Sequence, residues 1–235
     1  MNIERLLQLF KSTNYLEIII LGANIMCGIL TLKNNSFIAK LFSLYFSFNA
    51  IVILSSWCMV VFPSLESLNR HLVRTELNTA ISLLELFVYS QFFKGIIKNE
   101  LGKNFLSASL IIFSALVFLY FFTRFSFLTH RFRYVSFALG VLEFFILIPP
   151  SLIYFYELLK TDSVLSLNNR PSFWIATGIF SFCIISAPFY LLNPILFDLN
   201  YQWKNLLGTF LFEFPLLLNL GFLTKALLCK KPLTI

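Results

Sequence analysis

Residues 105–122 read FLSASLIIFSALVFLYFF, a run of 18 residues without a charged side chain. A helix rises about 1.5 Å per residue, so about 20 predominantly apolar residues cross the hydrocarbon core of a bilayer. The run is continuously apolar, whereas the strands of a membrane β-barrel alternate apolar and polar residues. This stretch therefore predicts a membrane-spanning α-helix.

Six further stretches along the chain have the same character, which predicts an all-α membrane protein. The seven predicted spans cover residues 15–32, 37–62, 77–97, 105–122, 134–159, 173–192 and 206–228. Short polar connections, such as Lys98-Asn99-Glu100, separate them. We therefore expect residues 1–235 to form a single domain, a bundle of seven transmembrane helices.

The composition of the whole chain agrees with this prediction. Of the 235 residues, 58% are hydrophobic and only 12% are charged, and 30 are phenylalanine. The mean hydropathy is +0.82. A chain with so few charges has too little polar surface to cover a water-soluble globule of this size. The lipid bilayer is therefore the first expected partner.

The first twelve residues differ from the spans that follow. Ile3, Leu6, Leu7 and Phe10 would fall on one face of a helix, with basic residues off that face. This pattern predicts a short N-terminal helix lying along the membrane surface. No small-x-small cleavage site follows the first apolar run, so we expect that run to remain as a helix.

The formal net charge of +7 could suggest a nucleic-acid partner. The basic residues, however, stand singly or in pairs between the apolar runs, as membrane anchors do, and form no basic stripe. We therefore expect no nucleic acid.

The basic residues divide almost evenly between the two membrane faces, and the tightest loops, at Lys33 and Lys98, lie on the C-terminal side. This favours a multi-pass inner-membrane protein with its N-terminus outside and its C-terminus cytoplasmic.

Four glutamates lie within the predicted spans. Glu17, Glu85, Glu143 and Glu213 belong to the first, third, fifth and seventh spans, which run in the same direction. Each lies roughly 6–14 Å below the same membrane face at the rise of a helix. A charge in hydrocarbon costs several kcal/mol, so such residues normally face the interior of a bundle. We expect Glu85 and Glu143, the deepest, to carry the function.

Other polar residues recur at helical spacing beside these glutamates, which predicts a partly polar cavity open toward the N-terminal side. The candidate cavity residues are Glu85, Glu143, Glu213, Glu17, Tyr89, Asn49, Ser82 and Asn24. Two alternatives stay open. Such residues often serve only as interhelical hydrogen bonds, worth about 0.6 kcal/mol each. Glu17 and Glu213 could also reach the membrane interface independently.

Motifs of known enzyme chemistry are missing from the sequence. It contains no HExxH zinc motif, Gly-rich phosphate loop or GxSxG elbow, and its two histidines, His71 and His130, lie in predicted loops. The four cysteines lack metal-ligand spacing. Lys225 lies too near the end of the seventh span for a retinal Schiff base. We therefore expect no enzyme, no metal and no cofactor.

Two stretches resemble a known group of sequences. LNTAISLLELFVYSQFF at residues 77–93 and NRPSFWIATG at residues 169–178 are similar to the third and sixth helices of uncharacterised small seven-transmembrane-helix membrane proteins of Bacteroidetes. The resemblance implies the seven-span layout but no activity. The general similarity of that group to seven-helix sensory modules implies signalling through a separate protein.

These observations lead to three functional hypotheses. The first is a receptor-like sensor module that acts through a separate membrane or signalling partner. The second is a small-solute or proton-coupled transporter in which the glutamates titrate. The third is a non-catalytic subunit of a membrane complex.

Overall fold

A computed structural model describes residues 15–32, 36–61, 70–127, 133–160, 167–196 and 213–229. Within these ranges the chain forms seven α-helices and no β-strand. They are α1 (Tyr15–Leu32), α2 (Phe37–Val61), α3 (Arg70–Ile96), α4 (Glu100–Phe127), α5 (Arg133–Lys160), α6 (Pro171–Leu196) and α7 (Phe214–Leu227). The predicted all-α class is confirmed for this part of the chain. The predicted N-terminal interfacial helix lies outside the described residues.

Four of the helices are long and apolar enough to cross a membrane. The qualifying segments are Phe37–Ser55 of α2, Glu100–Thr123 of α4, Ala138–Lys160 of α5 and Pro171–Leu192 of α6. As described, α1 and α7 are apolar but shorter. Helix α3 is long, but polar and charged residues run through its first half. Its composition therefore differs from that of a helix surrounded by lipid on all sides.

Six of the helices make a closed ring of contacts. Helix α1 packs on α2, α2 on α3, α3 on α5, α5 on α6, α6 on α7, and α7 on α1. Helix α4 lies outside this ring, where it packs chiefly on α3 and α5. Its outer face is apolar and exposed, with Ile111 and Phe118 exposed by 70% and 73%. The interior of the ring is therefore built without α4.

Glu157, near the end of α5, holds the start of α4 in place. Its carboxylate oxygens accept hydrogen bonds from the backbone N–H groups of Lys98 and Asn99, each at 2.9 Å. These N–H groups directly precede α4, and a carboxylate stabilises the positive end of a helix dipole. The peripheral helix is thus attached to the ring through its first turn.

Aromatic side chains of α2 and α3 fill the ring interior on the side of the C-terminal end of α3. We call this set the aromatic layer; it consists of Phe42, Tyr45, Phe46, Tyr89, Phe92 and Phe93, each at most 2% exposed. The Phe92 ring centroid lies 6.1 Å from that of Phe42 and 5.2 Å from that of Phe93, both in edge contacts. Such edge contacts are the favoured aromatic geometry. The layer closes the ring interior at this depth.

Gly178 of α6 allows α7 to approach closely. A Cβ at this position would lie 2.7 Å from Asn219 Oδ1 and 3.0 Å from Phe222 Cβ. Both distances are shorter than ordinary van der Waals contact, so a methyl group would push α7 away. Small residues at helix interfaces permit this kind of backbone approach in membrane proteins.

We expect Gly178→Ala to lower the free energy of unfolding by about 1–3 kcal/mol, the usual cost of overpacking an interior. Thermal unfolding of the purified protein in mild detergent measures the change. Gly221→Ala on α7 is the matched control, because a Cβ there meets nothing within 4 Å. Equal melting temperatures for the two variants would contradict the close α6–α7 contact.

Candidate functional site

A cavity of about 200 Å³ lies inside the ring. Its described lining residues belong to α1, α2, α3, α5, α6 and α7, together with Glu213, which directly precedes α7; none belongs to α4. The lining residues of α1, α3, α5 and α7 lie mainly toward the N-terminal ends of these helices. The cavity therefore occupies the half of the ring opposite the aromatic layer.

Most of the residues predicted from the sequence lie on this cavity. The lining includes Glu17, Asn24, Asn49, Ser82, Glu85, Glu143 and Glu213. Tyr89, the remaining candidate, lies one turn beyond Glu85 in the aromatic layer. Its hydroxyl lies close to the Glu85 carboxyl, so Tyr89 borders the cavity floor from below. The predicted residues thus come together from four helices and the residue before α7.

Two carboxyl groups form the floor of the cavity. Glu85 of α3 and Glu143 of α5 are only 7% and 2% exposed. The hydroxyl groups of Tyr45 and Tyr89 lie close to Glu85, and that of Ser82 lies close to Glu143. The two carboxyl groups are close enough to interact electrostatically.

One oxygen of each floor carboxyl lacks a protein partner. Glu85 Oε1 and Glu143 Oε1 are fully buried and have no hydrogen bond. A buried polar atom without a partner costs about 1–3 kcal/mol, and such atoms are rare in native proteins. Both side chains line the cavity, although these two oxygens themselves have almost no accessible surface. A molecule in the cavity can therefore bond to them only when the carboxyl groups turn toward it.

A hydrogen bond connects a tyrosine beside the floor to α7. Asn219 Nδ2 of α7 donates to the Tyr89 hydroxyl at 3.0 Å. The Tyr89 ring centroid lies 5.8 Å from that of Tyr45 on α2. Since both tyrosines lie next to Glu85, residues of α2, α3 and α7 meet beside this carboxyl group.

The mouth of the cavity carries the more exposed polar groups. Glu17 and Glu213 are half-buried and Asn78 is exposed. The indole Nε1 of Trp57 on α2 donates to Glu17 Oε2 at 3.2 Å. These residues lie near the N-terminal ends of α1, α3 and α7, so the mouth faces the N-terminal side of the protein.

The wall opposite these polar groups is aromatic. Phe144, Phe182 and Tyr190 line it, and the Phe144 ring makes edge contacts to Phe182 at 5.5 Å and to Tyr190 at 5.1 Å. The Tyr190 ring lies directly on Gly140, since a Cβ there would be 2.6 Å from it. The cavity therefore combines carboxyl oxygens at its floor with apolar ring surfaces at its side.

Several residues of the site were not among the predicted ones. They include Tyr190, Phe144 and Phe182 of the aromatic wall, and also Asn219 and Trp57. A signal existed for Asn219, because it is a lone polar residue inside an apolar run, and polar residues in a membrane span commonly have a specific partner. No comparable signal marks Tyr190, since its position depends on the contact with Gly140.

Comparison with known proteins adds no residue role to this site. No protein-family model, no curated protein and no solved structure matches the chain. The resemblance suggested by residues 77–93 and 169–178 stays a prediction.

Proposed function

We propose that all seven helices cross a membrane and that the cavity is the ligand site of a receptor-like module acting through a separate partner protein. The observation that carries this proposal is the cavity floor. There Glu85 and Glu143, both more than nine-tenths buried, each present an oxygen without a protein partner. Two such groups on neighbouring helices are costly for packing alone.

The contact ring supports the seven-span arrangement. Helix α3, which lacks a long apolar segment as described, lies between α2 and α5, which have one, and the shorter apolar helices α1 and α7 lie side by side between α2 and α6. The polar side chains of Asn78, Thr79, Ser82 and Glu85 on α3 line the cavity, so lipid need not contact them. Lysines Lys94, Lys98, Lys103, Lys160 and Lys225 lie toward the end opposite the cavity mouth. Because the basic residues divide almost evenly between the two ends, it is the tight loop at Lys98 that favours a cytoplasmic location for that end, in an inner membrane.

The contacts around Glu85 offer a route from ligand to partner. A ligand that bonds to Glu85 would move the neighbouring side chains of Tyr45 on α2 and Tyr89 on α3, and Tyr89 is hydrogen-bonded to Asn219 on α7. A ligand shifts a conformational equilibrium only if it contacts the two conformations differently. Rearrangement of Tyr45 and Tyr89 would provide that difference, and the helix ends on the opposite face would transmit it.

The order of helices in the ring favours one second candidate, a carrier. Helices α1–α3 form one three-helix unit and helices α5–α7 form a second. The two units contact each other through α3 and α5 and again through α7 and α1. Helix α4 connects them in sequence and lies outside the ring. This contact order is compatible with a twofold axis along the membrane normal. Some transporters consist of parallel repeats related in this way, with the substrate site between them.

A single cysteine on the cavity floor distinguishes the receptor from the carrier. In a background with the accessible Cys58 and Cys229 replaced by serine, Ser82→Cys is exposed to a membrane-impermeant thiol reagent from either face of oriented vesicles. For the receptor we expect labelling from the N-terminal face only, because the aromatic layer closes the other side. Lys98→Cys, at the opposite end, is the control and should label only from the C-terminal face.

Labelling of Ser82→Cys from both faces would favour the carrier, since alternating access exposes one site to each side in turn. Absence of labelling from either face would overturn the proposed ligand site. The background protein without an added cysteine must remain unlabelled for the comparison to hold.

A further inference from the structure

The chemistry of the lining narrows the class of ligand. Four glutamates line the cavity, whereas no Lys, Arg or His is found among its described lining residues. A cavity lined by charges of one sign concentrates ions of the opposite sign. An anionic ligand would lie beside the carboxyl groups of Glu85 and Glu143. No Lys, Arg or His among the described lining residues could pair with its charge. The ligand is therefore expected to carry positive charge.

The size of the cavity and its ligand set point away from a bare metal ion. About 200 Å³ corresponds to roughly seven water molecules at about 30 Å³ each. No group of three or more His, Cys, Asp or Glu that could hold a metal occurs in the described part of the chain. The volume instead suits a small organic cation, larger than a single ion.

The unpartnered floor oxygens define the head group. Glu85 Oε1 and Glu143 Oε1 need hydrogen-bond donors, and they come from two different helices. A protonated amine carries N–H donors in several directions, and hydrogen bonds between an ammonium and a carboxylate are about twice as strong as neutral ones. A quaternary ammonium has the charge but no N–H group, so it would leave both oxygens without a donor.

The aromatic wall defines the rest of the ligand. Phe144, Phe182 and Tyr190 present ring surfaces beside the carboxyl floor. An apolar group packs on these surfaces, and a neighbouring ammonium is attracted to aromatic faces. On these observations, and resting on the proposed ligand site, we infer that the cavity binds a small primary or secondary amine in its protonated form. Its N–H groups bond to Glu85 and Glu143, and its apolar body packs on the aromatic wall.

The test uses the full-length protein in nanodiscs and four probes that share one phenylethyl body. They are phenethylammonium, phenethyltrimethylammonium, 2-phenylethanol and phenylacetate. Binding is measured as ligand-dependent thermal stabilisation and as a change in intrinsic fluorescence, since Trp57 lies at the cavity mouth on Glu17. We expect phenethylammonium to bind at least about tenfold more tightly than each of the other three. The neutral alcohol controls for partition of the phenylethyl group into lipid.

Glu143→Gln keeps the shape of the floor and removes one ionisable carboxyl group. It should weaken phenethylammonium binding by at least about tenfold and leave 2-phenylethanol unchanged. Trp57→Phe should remove the fluorescence change while the thermal stabilisation persists.

Equal affinity for phenethylammonium and 2-phenylethanol, or tighter binding of phenylacetate, would overturn the inference. So would equal stabilisation by sodium or inorganic ammonium alone, because the aromatic wall would then play no part.

Failure of this inference is separable from failure of the proposed ligand site. If Ser82→Cys labels from the N-terminal face and phenethylammonium does not bind, the cavity is open to water but takes another ligand class. If Ser82→Cys is unreactive from both faces, the ligand site itself is wrong.

Discussion

Replacement of Phe92 by alanine is expected to lower the free energy of unfolding by about 3–5 kcal/mol, the usual cost of truncating a buried aromatic side chain. Phe92 is 0% exposed and packs against Phe42 and Phe93 in the aromatic layer. Its removal leaves a space that the neighbouring rings, themselves at most 2% exposed, can fill only in part. Unfolding in mixed detergent micelles measures the loss.

The matched control is Phe118→Ala on α4. Phe118 is 73% exposed on the outer face of that helix, where lipid or detergent replaces the lost contacts. Its effect should stay within about 0.5 kcal/mol, as for surface substitutions that disturb no special feature. Similar losses for the two variants would mean that the aromatic layer is not a packed interior.

Phe92→Ala also tests the closure of the cavity floor. In the Ser82→Cys background, removing this ring should allow labelling from the C-terminal face, which the intact layer prevents. Accessibility that stays one-sided would show that Phe92 is not required for closure. The stability and labelling results therefore report on two separate properties of the same layer.

The helical class was predictable because long apolar runs leave little alternative. Helix α1 (Tyr15–Leu32) has the bounds of the first predicted span. The third was predicted to start at residue 77, whereas α3 begins at Arg70. An apolar run marks where a helix can enter hydrocarbon, but a helix continues through polar residues beyond that point. Helix α4 likewise begins at Glu100 and not at residue 105, where Glu157 stabilises its first turn.

Much of the site was predictable because helical spacing sets both depth and face. Glu85 and Ser82 differ by three residues and therefore share a face of α3, and both line the cavity. Glu143 reaches the same depth on a parallel helix. Spacing does not reveal which helices are neighbours. The position of α4 outside the ring, and the contact between Asn219 and Tyr89 across 130 residues, depend on tertiary packing.

Glu85 and Glu143 are proposed to make a water-accessible cavity that favours cations. The most direct measurement compares the modification rates of Ser136→Cys, a cavity-lining position on α5, by two methanethiosulfonates. One carries a trimethylammonium group and the other a sulfonate. Each rate is divided by that of Lys98→Cys, which corrects for the intrinsic reactivity of the reagents.

We expect the corrected rate to be about 10–100 times higher for the cationic reagent, because a cavity lined by one sign of charge concentrates the opposite ion. In the Glu85→Gln, Glu143→Gln double variant the ratio should fall at least severalfold, since two of the four lining glutamates are replaced by residues that cannot ionise. A ratio near one in the unmodified cavity, or faster modification by the sulfonate reagent, would show that the cavity does not favour cations.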